Sequence, residues 1–267
     1  MTSFQELCNL RGRRALITGA AGKLGKTFSH SLAELGADLI LLDLEGSSLE
    51  VESQELRKLW GIDVQVVYCD LESETEREKL PILISNERSD LSILVNNAAL
   101  VGTAGIPGWN ATFDQQSLLG WRKATEVNLV AIFHLCQLLM PNMKYSPAPS
   151  IVNIASIYGS YGPDWNLYIG TNMSNPAAYA ATKGGLIQLT RWLATSLAPE
   201  IRVNAISPGG LFSSQPTSFV KKYESRTPLA RMANEEDFKG AIGYLASDLS
   251  KYVTGHILEV NGGWGVW

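Results

Sequence analysis

The sequence predicts a single α/β domain built on a doubly wound, mostly parallel sheet of seven strands, and three observations predict it. Seven short apolar runs recur along the 267 residues, helical patterns separate nearly all of them, and no linker, repeat or low-complexity tract interrupts the alternation. Continuous apolar runs suit strands buried on both faces, and intervening amphipathic helices suit the crossovers that parallel strands require.

In chain order, residues 13–18 (RRALIT) form the first strand candidate, followed by GAAGKLG and the periodic helix KTFSHSLAELGA. Residues 38–43 (DLILLD) form the second, ahead of a charged helical stretch. Five more follow at 64–70, 91–99, 150–156, 201–207 and 256–262. ESETE at 72–76 reads as a solvated helix start, where acids suit the dipole. The Ala-rich run AAYAATKGGLIQLTRWLATSLA reads as a helix by propensity.

Composition narrows the function. The chain is 45% hydrophobic and 18% charged, which suits one globular domain with a large core. A net charge of −4 and a pI near 5.5 point away from nucleic acid and from anionic membrane. The first residues lack an apolar signal region and no apolar run approaches a membrane span, so a cytoplasmic protein is expected. Cys8, Cys69 and Cys136 show no metal-ligand spacing and read as reduced thiols. His30, His134 and His256 are dispersed and read as structural or surface residues. Trp60, Trp121 and Trp192 lie in helical patterns and are expected to pack.

Two stretches carry chemistry. The first is Thr18–Gly25 (TGAAGKLG), placed between a strand and a helix as a phosphate-cradling loop should be. Glycines let backbone approach a pyrophosphate, and the helix start offers free N–H groups. Asp43 ends the next strand, where a carboxylate can accept from both adenosine ribose hydroxyls and repel a 2′-phosphate. A tight turn and a helix N-cap are the plainer readings of these two features. The second stretch is Tyr179-Ala-Ala-Thr-Lys183. Positions i and i+4 share a helix face, so phenol and ammonium can share a pocket, and a nearby cation lowers a Tyr pKa toward useful acid/base work. Ser156, at the end of a strand, can donate to the oxygen that Tyr179 protonates. Taken alone, YxxxK also fits an ordinary helix with an exposed Tyr and Lys.

Five motifs in register decide between these readings: TGAAGKLG, NNAA at 96–99, Asn128 in EVNLV, Ser156 before YAATK, and SPGG at 207–210, with a closing YVTGHILEVNGGW. On these the chain resembles the short-chain dehydrogenase/reductase family from about Gly12 to Gly263. The resemblance implies a Rossmann-type domain spanning residues 1–267 and an NAD(P)-dependent oxidoreductase. It implies Tyr179 as general acid/base and Lys183 as the residue that lowers its pKa and binds the nicotinamide ribose. Ser156 would polarise the substrate oxygen, and Asn128 would hold a water in the proton relay. Gly19, Lys23 and Leu24 would fall in the phosphate loop, with Asp43 on the adenosine ribose. Asp70 and Leu71 fall where the family contacts adenine, and Asn97 and Ala98 where it lines that ribose. Pro208, Gly209, Leu211 and Ser213 fall beside the nicotinamide amide.

Asp43 followed by Leu44, rather than a cation, favours NAD over NADP. Lys23 departs from the family by replacing its middle glycine, and it could reach a phosphate. The 158–175 segment makes the Ser156-to-Tyr179 interval longer than in most compact members. Its Tyr158, Tyr161, Trp165 and Tyr168, with Asp164, Asn166 and Asn172, are expected to touch a polar, sugar-like small molecule, a structural flap being the alternative. Residues 212–228 fall where this fold carries a substrate lid. A lesser resemblance is to short-chain enzymes of bacterial surface-sugar biosynthesis. The family also implies a homo-oligomer, dimer or tetramer, paired through the helices of Asn128 and Tyr179, with GGWGVW near a second interface covering two tryptophans. A sugar-nucleotide epimerase or dehydratase using the same Tyr/Lys pair is the enzymatic alternative, and a nucleotide-sensing scaffold the non-enzymatic one. Nucleic-acid and membrane partners are not expected.

Overall fold

The computed structural model describes residues 1–85, 88–101, 105–144 and 146–267. Among them are seven strands in one sheet: β1 (Arg14–Thr18), β2 (Asp38–Asp43), β3 (Val64–Tyr68), β4 (Ile93–Asn96), β5 (Ser150–Ile154), β6 (Arg202–Pro208) and β7 (Ile257–Val260). Their order is β3-β2-β1-β4-β5-β6-β7, and every neighbouring pair is parallel. β1 pairs with β2 on one side (Ala15 opposite Leu39) and with β4 on the other (Ala15 opposite Ile93). The winding therefore reverses between β1 and β4, and a crevice opens beyond their carboxyl ends, the place where such sheets bind ligands.

Why the strands read as continuous apolar runs is visible in the core. Ala15, Ile17, Leu39, Leu41, Ile93 and Val95 face one layer, with Phe28 and Leu32 of helix Lys23–Glu34 and Ile242 and Leu245 of helix Lys239–Ala246. The alternate residues Leu16, Ile40, Leu42, Leu94 and Ile151 face the other, with Leu135, Leu139 and Met143 and with Leu186 and Leu193 of helix Ala177–Ser196. Side chains of a strand alternate between faces, so burying both requires apolar residues at every position.

Three expectations are corrected. First, helix Leu118–Lys144 is long and apolar enough, by length and composition, to cross a membrane. Its apolarity serves sheet packing: Ala131, Ile132, Leu135, Leu139 and Met143 are buried on this side of the sheet. Second, Trp60, Trp121 and Trp192 do not pack inside, being 38%, 44% and 56% exposed. Third, the two C-terminal tryptophans differ. Trp264 is 2% exposed within its own chain, stacked on Tyr223 at 4.6 Å, whereas Trp267 stays on the surface.

That Tyr223 belongs to helix Thr217–Arg226, inside the segment expected as a lid. A separate cluster of Ile157, Leu167, Phe219, Tyr223, Met232 and Trp264 packs this helix against the 158–175 segment. Lys222 Nζ donates to the Asn166 and Ile169 carbonyls, both at 2.8 Å, and ties the two segments together.

Candidate active site

The crevice between β1 and β4 is built from backbone. Gly19 follows β1 with φ +63°, and a Cβ there would stand 2.8 Å from Ala98 Cα. A Cβ on Gly25 would stand 2.1 Å from the Gly19 carbonyl oxygen, so the first helical turn lies against the loop as only glycine permits. Gly22 is the N-cap of helix Lys23–Glu34 and brings no side chain to that end, which leaves first-turn N–H groups for an anion. Asp43 Oδ2 accepts from Ala21 N and Oδ1 from Leu44 N, both at 2.8 Å, so the carboxylate is fixed beside the loop.

Thr18 was read only as part of the loop motif, yet its hydroxyl joins the two strand ends. Thr18 Oγ1 accepts from Asn97 N and Ala98 N, both at 3.0 Å, and donates to Val95 O. Asn97 Nδ2 donates to the carbonyls of Thr18 and Gly19 at 2.9 and 3.0 Å. These bonds draw residues 97 and 98 out of the β4 ladder and end the strand earlier than the apolar pattern suggests.

A crevice of about 800 Å³ results, and its walls include Gly19, Lys23, Leu24, Asp43, Asp70, Leu71, Asn97, Ala98, Leu211 and Ser213. Asp70 is exposed, its backbone N–H donating to Glu76 and its Oδ1 accepting from Glu72 N. The glycine cradle, the fixed Asp43 carboxylate and the crevice volume fit a dinucleotide. Lys23 also reaches across the crevice: Nζ lies 3.4 Å from Phe212 O and 3.5 Å from Glu235.

A second cleft, of about 400 Å³, adjoins the first and shares Leu24, Asn97, Ala99, Val101 and Leu211 with it. Ser156, Tyr179, Lys183, Pro208 and Gly209 line it. Ser156 follows β5 in extended conformation and caps the short helix Ile157–Ser160, Tyr179 is half-buried and bonded to the Ser156 side chain, and Lys183 is 2% exposed. Lys183 Nζ donates to Ile154 O at 2.6 Å and lies 5.8 Å from the Tyr179 ring centroid. Burial holds the Tyr179 phenol above its ordinary value, with the Ser156 hydrogen bond acting the other way. Burial also pulls Lys183 from 10.5 down to about 8. The phenol thus stands above its ordinary value rather than lowered as expected: desolvation is the largest cause, and the Lys183 ammonium donates to the Ile154 carbonyl instead of to the phenol.

Asn128 stands behind the cleft, fully buried in a π-helical turn, Glu126–Val130, of the long helix. Its Oδ1 accepts from Leu100 N at 2.7 Å, and its Nδ2 reaches Leu100 O and Thr182 Oγ1. Such single-turn bulges re-aim a side chain without ending the helix.

The 158–175 segment divides. Tyr158 and Tyr168 line the cleft, their hydroxyls 2.7 Å apart. Tyr161 turns away to Glu259, and Trp165 and Asn172 line an outer groove. Asp164 caps a short 3₁₀ turn, and Asn166 offers its carbonyl to Lys222. At the end of the segment, Asn175 lines the cleft, 5% exposed, with Oδ1 lacking any partner among the described residues. It precedes Pro176 at a helix start, and the sequence singles out Asp164, Asn166 and Asn172 in this segment but not Asn175.

Two of the dispersed histidines have structural partners. His30 bonds Glu52 at 3.0 Å, and His134 Nδ1 accepts from Arg77. Burial pushes the Cys69 and Cys136 thiols up to about 12, so they behave as small apolar residues.

A family profile described as enoyl-(acyl carrier protein) reductase matches residues 19–265. The chain is 30% identical to a 3-oxoacyl-[acyl-carrier-protein] reductase of Aquifex aeolicus, over 95% of this chain and 98% of that one. It is 28% identical to an NADP-dependent mannitol dehydrogenase of Alternaria alternata, over 99% and 97% of the two chains. A short chain dehydrogenase from Leptospira borgpetersenii, solved with bound NAD+, superposes with a TM-score of 0.84 at 31% identity, covering 99% of this chain and 96% of that one.

Proposed function

The chain belongs to the short-chain dehydrogenase/reductase family of oxidoreductases, and on that premise we propose that it interconverts a secondary alcohol and a ketone of a polar, sugar-like substrate with NAD. The observation that carries this reading is the convergence of Ser156, Tyr179 and Lys183 in one cleft that opens onto the crevice of Gly19 and Asp43. When bound, NAD supplies the hydride acceptor and NADH the donor.

The residues do the rest. Tyr179 takes the proton of the alcohol during oxidation and returns it to the carbonyl oxygen during reduction. Ser156, bonded to Tyr179, donates to the same oxygen and holds it in place. Lys183 would hold the nicotinamide ribose, and its ammonium, 5.8 Å from the Tyr179 ring centroid, would offset part of the desolvation cost of a phenolate. Asn128 fixes the backbone at Leu100 and holds the water that links Lys183 to solvent. In the crevice, the loop at Gly19–Leu24 would hold the pyrophosphate and Asp43 the adenosine ribose. Asp70 and Leu71 would serve adenine, Asn97 and Ala98 the ribose, and Pro208, Gly209, Leu211 and Ser213 the amide.

Asp43 supports NAD over NADP, because a 2′-phosphate beside it would bring like charges together in a site whose walls, among the described residues, offer Lys23 as their cation. The polar wall of Tyr158, Tyr168 and Asn175 supports a hydroxylated substrate. Leu118, Leu119, Trp121, Val130, Phe133, Met140 and Trp192 are exposed apolar residues of helices Leu118–Lys144 and Ala177–Ser196, and they support a homo-oligomer paired through those helices. The free thiols and acidic balance support a cytoplasmic setting.

The test follows NADH absorbance while alcohols, polyols and sugar derivatives are supplied with NAD. Appearance of NADH with at least one compound, tied to Tyr179, is expected. Turnover of a sugar nucleotide with no net change in NADH would overturn the reading.

A further inference from the structure

Asn175 is joined through Pro176, the N-cap residue, to the helix that carries Tyr179, so its position is tied to the catalytic phenol. It is 5% exposed, and its Oδ1 receives no hydrogen bond. Its side chain bonds the Tyr168 hydroxyl, which in turn lies 2.7 Å from the Tyr158 hydroxyl. Asn175, Tyr158 and Tyr168 all line the cleft of Ser156 and Tyr179. A buried amide oxygen without a donor is costly, and folded proteins keep few of them.

Donor and acceptor bookkeeping shows what this trio offers. The two phenols carry one hydrogen each, and their mutual bond uses one of them, whichever ring donates. One phenolic hydrogen is left as a donor, next to the open Asn175 oxygen as an acceptor. A hydroxyl group donates and accepts at once and satisfies both. A ketone or ether only accepts, and a methylene does neither.

We propose that Asn175, with the Tyr158–Tyr168 hydroxyl pair, binds a second hydroxyl of the substrate close to the reacting carbon, which makes a polyol or sugar derivative, rather than an acyl chain, the substrate class. This rests on the oxidoreductase reading above for the word reacting, while the binding itself stands on the trio. Asn175 is then a residue that selects the substrate, not one that moves a proton.

The experiment titrates the NADH complex of the protein calorimetrically with ribitol, xylitol, glucitol and mannitol, and separately with 2-heptanol, and assays oxidation of the same compounds with NAD. At least one polyol should bind more tightly than 2-heptanol. Asn175→Leu should weaken that polyol by roughly 10- to 100-fold, the range expected when a buried polar partner is lost, and should not weaken 2-heptanol. Asn175→Asp, which keeps an acceptor oxygen in place, should restore most of the polyol affinity, which no merely structural role predicts. Should Asn175→Leu lose NADH affinity and so report a damaged fold, Tyr168→Phe removes a hydroxyl while keeping the ring and makes the same comparison. Tighter binding of 2-heptanol than of every polyol, or full polyol affinity in Asn175→Leu, overturns the subsite. Polyol binding that depends on Asn175, with no oxidation of any compound, supports the subsite and overturns the oxidoreductase reading instead.

Discussion

Replacing Lys183 by Met should make the protein more stable at neutral pH while disabling it. Lys183 is 2% exposed, and its Nζ donates to Ile154 O at 2.6 Å. Its pKa falls from 10.5 to about 8 through burial, which at ~1.4 kcal/mol per pH unit corresponds to about 3 kcal/mol held against the charged form. Met keeps the length of the side chain and removes that charge. It also leaves the Ile154 carbonyl without its donor, a loss of about 1 kcal/mol. A net gain of about 2 kcal/mol is therefore expected at pH 7. The sign with pH follows from proton counting. Below about pH 8 folded and unfolded chains both hold the lysine proton, and the full cost of burying it is present. Between about 8 and 10.5 the unfolded chain keeps a proton the folded one has released, so wild-type stability rises with pH and the advantage of the variant shrinks. Urea unfolding of wild type and Lys183→Met, each at pH 7 and near pH 10.5, measures both effects. A variant less stable than wild type at pH 7, or a gap that ignores pH, would refute the account of Lys183 as a strained, buried cation.

Four further outcomes are expected. Tyr179→Phe should bind NADH normally but lose turnover by ~10²–10⁴-fold, the range for lost acid/base catalysis, and equal activity would remove Tyr179 from the mechanism. Because burial holds that phenol above its ordinary value, kcat/KM for oxidation by the wild type should climb with pH through the alkaline range, where the base form grows, and kcat/KM for reduction should fall only where the acid form is lost. Asp43→Ala should narrow a wild-type preference for NADH over NADPH by about 10-fold or more, since like charges in contact cost several kcal/mol; tighter NADPH binding by the wild type, measured by fluorescence titration, would overturn the role given to Asp43. Gly25→Ala would place a methyl 2.1 Å from the Gly19 carbonyl oxygen, so the loop must shift; a drop of roughly 1–3 kcal/mol in stability, with at least a tenfold loss of NADH affinity, is expected in unfolding and binding titrations.

The sheet was legible because a strand buried on both faces announces itself at every residue, as DLILLD and SIVNI do. The cofactor crevice was legible for a different reason: its chemistry lies in short, contiguous stretches at strand ends, where spacing along the chain determines spacing in space. Tyr179 and Lys183 share that property through one helical turn. What escaped depended on which way a side chain turns. Periodicity placed Trp60, Trp121 and Trp192 in helices but not on the faces that point to solvent. Four aromatics in residues 158–175 looked equivalent, yet Tyr161 finds Glu259 while Tyr158 and Tyr168 find each other. Proximity of Lys183 to Tyr179 suggested a lowered phenol pKa, and only the depth of the cleft shows that desolvation prevails. Asn175 carried no pattern of its own, since one amide ahead of a helix is common in any chain, and the TGAAGKLG motif marked Thr18 without showing that its hydroxyl joins two strand ends.

The stack of Trp264 on Tyr223 gives the protein an optical gauge of its own. The indole is 2% exposed, its partner ring is tilted only 23° from it, and the Arg226 guanidinium lies 5.2 Å from its centroid. Tyr223 and Arg226 both ride on helix Thr217–Arg226, which borders the cleft through Phe219 and Tyr223, whereas Trp264 follows β7. Any displacement of that helix therefore peels a quenching cation and an aromatic ring from an indole and admits water to it. With the other six of its seven tryptophans replaced by Phe, the emission of Trp264 reports the position of the cleft wall in real time, and stopped-flow mixing with substrate can separate movement of that wall from the chemistry behind it.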